Sequence, residues 1–231
     1  QWLTDGAQVF GVDQAIEGLW RFVGLEAEIM HDTPGIVLAA ASNDAIVWTD
    51  GQNIFEVQPD DTNPIRVADR TDINALTLIG DEIWWTEKEG PRLMSLGPDD
   101  EEPQERFGPP DIRSPLVLTV GSATEDDILP LSLGLETWPY SGLLCRFNAM
   151  NGRVGCSHHG PPKAFGVSLN AGAFVWGTHF GIVSAQAGAP YSFVSDPVLP
   201  GGFFLENEEL WISDRRAGRV LKTILNAAEE D

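Results

Sequence analysis

Short apolar runs separated by Gly, Asn, Asp and Pro fill the chain, and no long stretch keeps the 3.6-residue spacing of an amphipathic helix. An apolar, usually aromatic pair followed by small or acidic residues recurs at Trp2-Leu3-Thr4-Asp5, Val47-Trp48-Thr49-Asp50, Trp84-Trp85-Thr86-Glu87 and Trp211-Ile212-Ser213-Asp214. Degenerate copies stand at Thr137-Trp138-Pro139-Tyr140 and Val175-Trp176-Gly177-Thr178. The step from one copy to the next averages about 42 residues, the length of one four-stranded propeller blade. Each copy predicts a second strand. First strands are expected at 35–39, 75–79, 165–169 and 203–205, with Gly, Asn or Asp in the turns that follow. Third strands are expected at 53–57, 92–96, 143–147, 181–185 and 219–224, and weaker fourth strands at 65–67 and 192–194.

The longest step, from Glu87 to Tyr140, predicts an insertion over 122–135. The first copy begins at residue 2 and the last third strand ends at Ile224, so either both terminal blades are three-stranded, which is the expectation, or the N-terminal segment pairs across the seam, or flanking sequence is absent. The expected fold is therefore all-β, a β-propeller of six blades formed by residues 1–231 as one domain.

These residues resemble the YWTD-type repeats of low-density-lipoprotein-receptor propellers, and more closely the related repeats of secreted bacterial proteins, in which a strand reading roughly VYWTD precedes one reading roughly RVPLDG. The resemblance spans nearly the whole chain. Pro139-Tyr140 and Gly177-Thr178 depart from the Thr-Asp ending. The resemblance implies a six-bladed propeller, and binding rather than a fixed chemistry.

Trp48, Trp85, Trp138, Trp176 and Trp211 are expected to fill the wedges between blades, whereas Trp20 and Trp84 are free to face outward. Asp5, Asp50, Glu87 and Asp214 follow their strands at a turn, where a carboxylate accepts backbone N–H bonds; their expected role is structural. Cys145 and Cys156 flank a hairpin turn, and pairing Asn148 with Arg153 around a four-residue loop sets the two cysteines directly opposite each other. A disulfide is expected, which suits a secreted or periplasmic protein.

Charge restricts the partners. With 14 Lys+Arg against 35 Asp+Glu the formal charge is −21, which opposes binding to nucleic acid or anionic lipid. No apolar run reaches the roughly 18 residues of a membrane span, so no membrane insertion is expected. Residues 1–5 lack the basic and apolar regions of a signal peptide, the expectation for a mature or trimmed chain. The acidic stretch 98–103 lacks the ligand spacing of an EF-hand and reads as a solvated loop.

No P-loop, dinucleotide fingerprint, His-Glu-x-x-His, Gly-x-Ser-x-Gly or Cys-x-x-Cys string occurs. The candidate chemistry lies in the histidines. His31, His158, His159 and His179 are expected in loops of one polarity, joined by Asp32, Asp72, Tyr140, Asp196, Arg215 and Arg216. Histidine beside carboxylate can bind ligand, hold a metal or move a proton. The expected ligand-binding residues are His31, Asp72, Tyr140, His158, His159, His179 and Arg215, serving a noncatalytic module for a protein, small-molecule or carbohydrate ligand, with no cofactor, no metal and no catalytic residue. The alternative is a hydrolase or lyase using His158, His159 or His179 with a carboxylate or metal. A second alternative is self-association through strand edges at the seam.

Overall fold

Strand-forming residues alternate between two faces, and each face needs an apolar partner. In the computed structural model the described residues are 2–4, 9–13, 18–23, 26–31, 35–42, 45–58, 61, 63–70, 72–87, 90–108, 116–121, 124, 126–135, 142–160, 166–170, 173–178, 181–185, 192–193, 200–206, 209–214 and 219–224. Among them there is no helix; the fold is all-β, built of antiparallel sheets mostly of four strands in the manner of a propeller-like repeat fold. The chain divides into two compact units, Gln1–Ala123 and Thr124–Asp231.

The first unit holds three meander sheets. The first comprises β1 (Trp2–Thr4), β2 (Val9–Asp13), β3 (Gly18–Val23) and β4 (Glu26–His31). The second comprises β5 (Leu38–Ala41), β6 (Ile46–Thr49), β7 (Asn53–Val57) and β8 (Ile65–Asp69), and the third β9 (Ile73–Ile79), β10 (Glu82–Glu87), β11 (Leu93–Leu96) and β12 (Gln104–Phe107). A further strand, β13 (Leu116–Val120), lies against β9 and β10. Asn74 ties it there, its Nδ2 donating to the Leu118 carbonyl at 2.7 Å and to Thr119 Oγ1 at 3.3 Å.

The middle sheet shows how alternation becomes packing. Ile46 and Trp48 point to one side, where they join Ala39, Val57 and Leu19 of the first sheet. Val47 and Ile54 point to the other, joining Ile83, Trp85, Leu76 and Met94 of the third. Both faces of one strand are thus buried, and Trp48 stacks on its cross-strand neighbour Phe55 with centroids 5.7 Å apart.

The second unit repeats the arrangement with β14 (Ile128–Leu135), β15 (Gly142–Asn148) and β16 (Val154–Gly160), then β17 (Gly166–Asn170), β18 (Ala173–Thr178), β19 (Gly181–Ala185) and β20 (Ser192–Phe193). The last sheet comprises β21 (Pro200–Glu206), β22 (Glu209–Asp214) and β23 (Arg219–Ile224). Phe174 and Trp176 of β18 pack with Leu144 of β15, while Val175 packs the opposite way with Ile182, Leu210 and Ile212.

The structure corrects four expectations. The N-terminal sheet has four strands, because Trp2-Leu3-Thr4 forms its first strand rather than its second. Its second strand carries Gly11 where bulk is usual, and Trp20 of β3 stands opposite that glycine in register. The last sheet has three strands among the described residues. The segment expected as an insertion contains β14, with Leu129, Leu131 and Leu133 buried. Trp84 is buried rather than outward-facing, with the Arg106 guanidinium 5.7 Å from its ring. Trp211 is 38% exposed rather than a wedge, because the inward position of its pair is taken by Ile212. Trp138 lies outside the described residues.

Candidate functional site

The strand ends that carry Asp50, Asp72 and Glu87 form one end of the second and third sheets. Thr49 and Asp50 close β6 into a turn. Gly51 adopts a φ of +89°, a conformation an L side chain rarely takes, and its amide donates to Thr49 Oγ1 at 3.0 Å. Asp50 Oδ1 accepts the amides of Gln52 at 2.8 Å and Asn53 at 2.7 Å, and Asn53 Nδ2 donates to Oδ2 at 3.1 Å. Burial pushes this carboxyl upward, but the amides of Gln52 and Asn53 together outweigh it and hold Asp50 below its ordinary value.

Its counterpart Glu87 reaches the same end differently. Its carboxylate pairs with Arg92 at 2.6 Å, and its amide donates to the Arg92 carbonyl at 3.1 Å. Both repeated acids are therefore consumed in shaping turns, the structural role expected of them. The neighbouring loop is tied in as well: the Arg70 amide donates to the Gln52 carbonyl at 2.9 Å. That bond fixes the approach to Asp72, which is exposed and has a φ of +62°, before the chain enters β9 at the buried Ile73. A non-glycine residue held at positive φ is uncommon, and such positions concentrate at functional surfaces.

His31 is the last residue of β4, opposite Leu19, rather than a residue of the following loop. His158 and His159 lie within β16, also not in a loop. There the register passes from Leu144–Ser157 to Gly142–Gly160, so the two histidines together oppose the single residue Leu143. This is a β-bulge, a feature that re-aims side chains near the end of a strand. Tyr140, His179 and Arg215 lie outside the described residues, as do Asp32, Asp196 and Arg216.

Cys145 and Cys156 form a disulfide with an S–S distance of 2.06 Å, paired directly across β15 and β16. The hairpin below it has the expected four-residue loop, with the Asn148 amide donating to the Arg153 carbonyl at 2.9 Å and Gly152 at φ +68°. The bond links a buried cysteine to an exposed one, two residues from the His158–His159 bulge.

Two further charged positions escaped the sequence pattern because their partners come from adjoining strands. Glu56 of β7 is pushed above its ordinary carboxylate value, first by burial and second by the charge of Asp81 in the β9–β10 turn. Arg106 of β12 crosses to Ser95 Oγ at 2.8 Å and Glu82 Oε1 at 3.0 Å.

No known protein family and no curated protein matches the sequence. Solved structures do match in fold. The extracellular domain of a hybrid two component system from B. thetaiotaomicron aligns with 99% of this chain at 12% identity and a TM-score of 0.59, and this chain spans 38% of that one. A chain of a nidogen/laminin complex aligns with 91% of this chain, covering 87% of its own length, at 15% identity and a TM-score of 0.69. An auxiliary nutrient binding protein from Bacteroides thetaiotaomicron VPI-5482 aligns with 96% of this chain and 67% of its own, at 10% identity and a TM-score of 0.70. At these identities the likeness is one of fold, and the fold it supports is the propeller repeat.

Proposed function

We propose that residues 1–231 form one six-bladed β-propeller, secreted or periplasmic, that acts as a noncatalytic binding module through the loop end bearing Asp72. The observation that carries this reading is the state of the carboxylates there. Asp50 and Glu87 are spent on turn amides and on Arg92, while Asp72 is presented to solvent on a loop pinned by the Arg70–Gln52 bond. A rigid rim with an outward polar group suits recognition better than proton transfer, which needs a base facing a reacting partner. His31, His158, His159, Tyr140, His179 and Arg215 complete the proposed surface. The ligand is a protein, a small molecule or a carbohydrate; the −21 charge argues against nucleic acid and against membrane association. The disulfide supports an extracytoplasmic location, where such bonds persist.

An array of neutral and acidic oligosaccharides, screened with the intact chain, tests the carbohydrate form of this reading, and a displayed peptide library tests the protein form. Binding should be lost on combined replacement of Asp72, His158, His159 and His179 by Ala, and kept when Asp81, in the β9–β10 turn at the opposite strand ends, is changed to Ala. The reverse pattern overturns the assignment. Turnover of nitrophenyl esters or glycosides that disappears in the same combined variant would favour the hydrolase reading instead.

A further inference from the structure

An outer strand has a ladder on one side only, so it needs a further hold on the sheet beneath it. In the first unit that hold is packing or charge. Met30 of β4 packs against the cluster around Trp48, and Val67 and Ala68 of β8 pack against the cluster around Trp85. Arg106 of β12 is tied to Ser95 and Glu82. The described side chains of β16 have neither. Val154 is 43% exposed, Gly155 has no side chain and Cys156 is exposed, although β15 beneath them is buried at Leu144, Cys145 and Phe147.

What holds β16 is the disulfide. In an antiparallel ladder, residue pairs that exchange backbone hydrogen bonds alternate with pairs that exchange none and whose Cα atoms are closer. Counted from Asn148, whose amide donates to the Arg153 carbonyl, Cys145 and Cys156 form a pair of the second kind, and their Cα atoms are 4.0 Å apart. The covalent bond thus stands where the ladder supplies no link. It closes a loop within one hairpin and joins no distant parts of the chain, which limits its worth as a staple for the whole fold. Beyond it the pairing is already interrupted: after Leu144–Ser157 comes the His158–His159 bulge, and then Gly142–Gly160.

We infer that Cys145–Cys156 is a redox site whose reductant is a dithiol, and that its reduction releases the bulged end of β16, residues 157–160. Access decides where the reaction begins. Cys145 is buried and Cys156 exposed, so one thiolate of the dithiol attacks Cys156 Sγ, the S–S bond breaks, and Cys145 Sγ departs with the electron pair and takes up a proton. Cys145 remains beside the mixed disulfide and can reverse this step, which defeats a monothiol. The second thiolate of the dithiol instead attacks the reductant's own sulfur in the mixed disulfide and expels the Cys156 thiolate, which is protonated. The reductant ends as a disulfide, and its electron pair has reduced the cystine to two thiols. Release of the strand needs no ligand. Its effect on recognition rests on the reading above, in which His158 and His159 belong to the binding surface, and there reduction weakens binding.

The test is amide hydrogen exchange of the intact native chain before and after incubation with dithiothreitol, with intact mass reporting the state of the bond. Reduction should go to completion without denaturant, and should speed exchange within 157–160 about tenfold more than within the packed outer strands 65–69 and 104–107. Reoxidation should restore the slow rate. Joint replacement of Cys145 and Cys156 by Ala should give the fast rate from the start and no response to the dithiol. The inference is overturned if the bond of the native chain resists dithiothreitol, if glutathione at the same thiol concentration reduces it as fully, or if reduction leaves 157–160 as slow as before. It is also overturned if reduction speeds all three outer strands equally, the result expected of a staple for the whole fold. A ligand found by the oligosaccharide or peptide screens should bind the oxidised chain more tightly than the reduced one; if the screens find none, the binding reading fails while the exchange result still decides this one.

Discussion

The sheets β5–β8 and β21–β23 use the same strand pattern and end in different surroundings. β6 sends Ile46 and Trp48 to one side and Val47 to the other, and all three are fully buried. β22 sends Leu210 and Ile212 into a dry contact with β18 and β19, while Trp211 on the other face remains 38% exposed. The positions matching Trp211 in the other motif copies are Val47, Trp84 and Val175, at 0%, 1% and 0% exposure. Strand alternation decides which way a side chain points; the neighbouring sheet decides whether that direction is inside. At Trp211 the ring is covered only in part, by Lys222, whose Nζ is 4.8 Å from the ring and 2.6 Å from Glu209 Oε1.

The sharpest way to break this comparison is to truncate both tryptophans. Trp48→Ala should cost about 3–5 kcal/mol in urea unfolding, whereas Trp211→Ala should cost less than about 1 kcal/mol. Equal losses would show that the exposed face is covered in solution.

Next in size is the disulfide. Replacing Cys145 and Cys156 together by Ala should lower stability by about 2–3 kcal/mol, the value for a short closed loop, and should speed amide exchange in 154–157. Intact mass with and without reductant should differ by two hydrogens.

Asp50→Ala removes the acceptor of two backbone amides and should cost about 1 kcal/mol at pH 7. Because the folded carboxyl titrates below its unfolded value, its contribution is present above the unfolded pKa and disappears as pH falls through the folded one. Wild type and variant should therefore converge in acid.

Glu56→Gln is the smallest effect and carries the opposite sign. Glu56 lies opposite Val47, as Lys222 lies opposite Trp211, but a neighbouring sheet crowds it. Its raised folded pKa favours folding below the unfolded pKa, and that advantage is lost as pH rises through the folded one. At pH 7 the neutral variant should gain about 0.5 kcal/mol or less, and the gain should vanish in acid.

Much of the strand scaffold was legible because the repeat couples an aromatic pair to flanking turns. β7, β19 and β23 occupy the residues expected of them, and the cysteine register followed from turn length alone. β14 was hidden by Pro130, which argues against a central strand even though Leu129, Leu131 and Leu133 alternate correctly. The first sheet was misaligned because Trp2 sits on β1 and the bulk opposite Gly11 comes from Trp20 on another strand. At the candidate site, the roles of the repeated acids could be read from their turn positions, as Asp50 and Glu87 show. His31, His158 and His159 lie in strands rather than loops because a bulge prolongs pairing past the point where alternation fades, and no sequence pattern marks it.

The hairpin tip below the disulfide has a practical consequence for proteolysis. Met150 is 81% exposed at the turn, and the covalent link between Cys145 and Cys156 encloses that turn. A protease that nicks the tip therefore leaves the two fragments joined, and the cut chain migrates as a single species until a thiol is added. The most accessible peptide bonds of this hairpin can be severed without releasing either half of the protein.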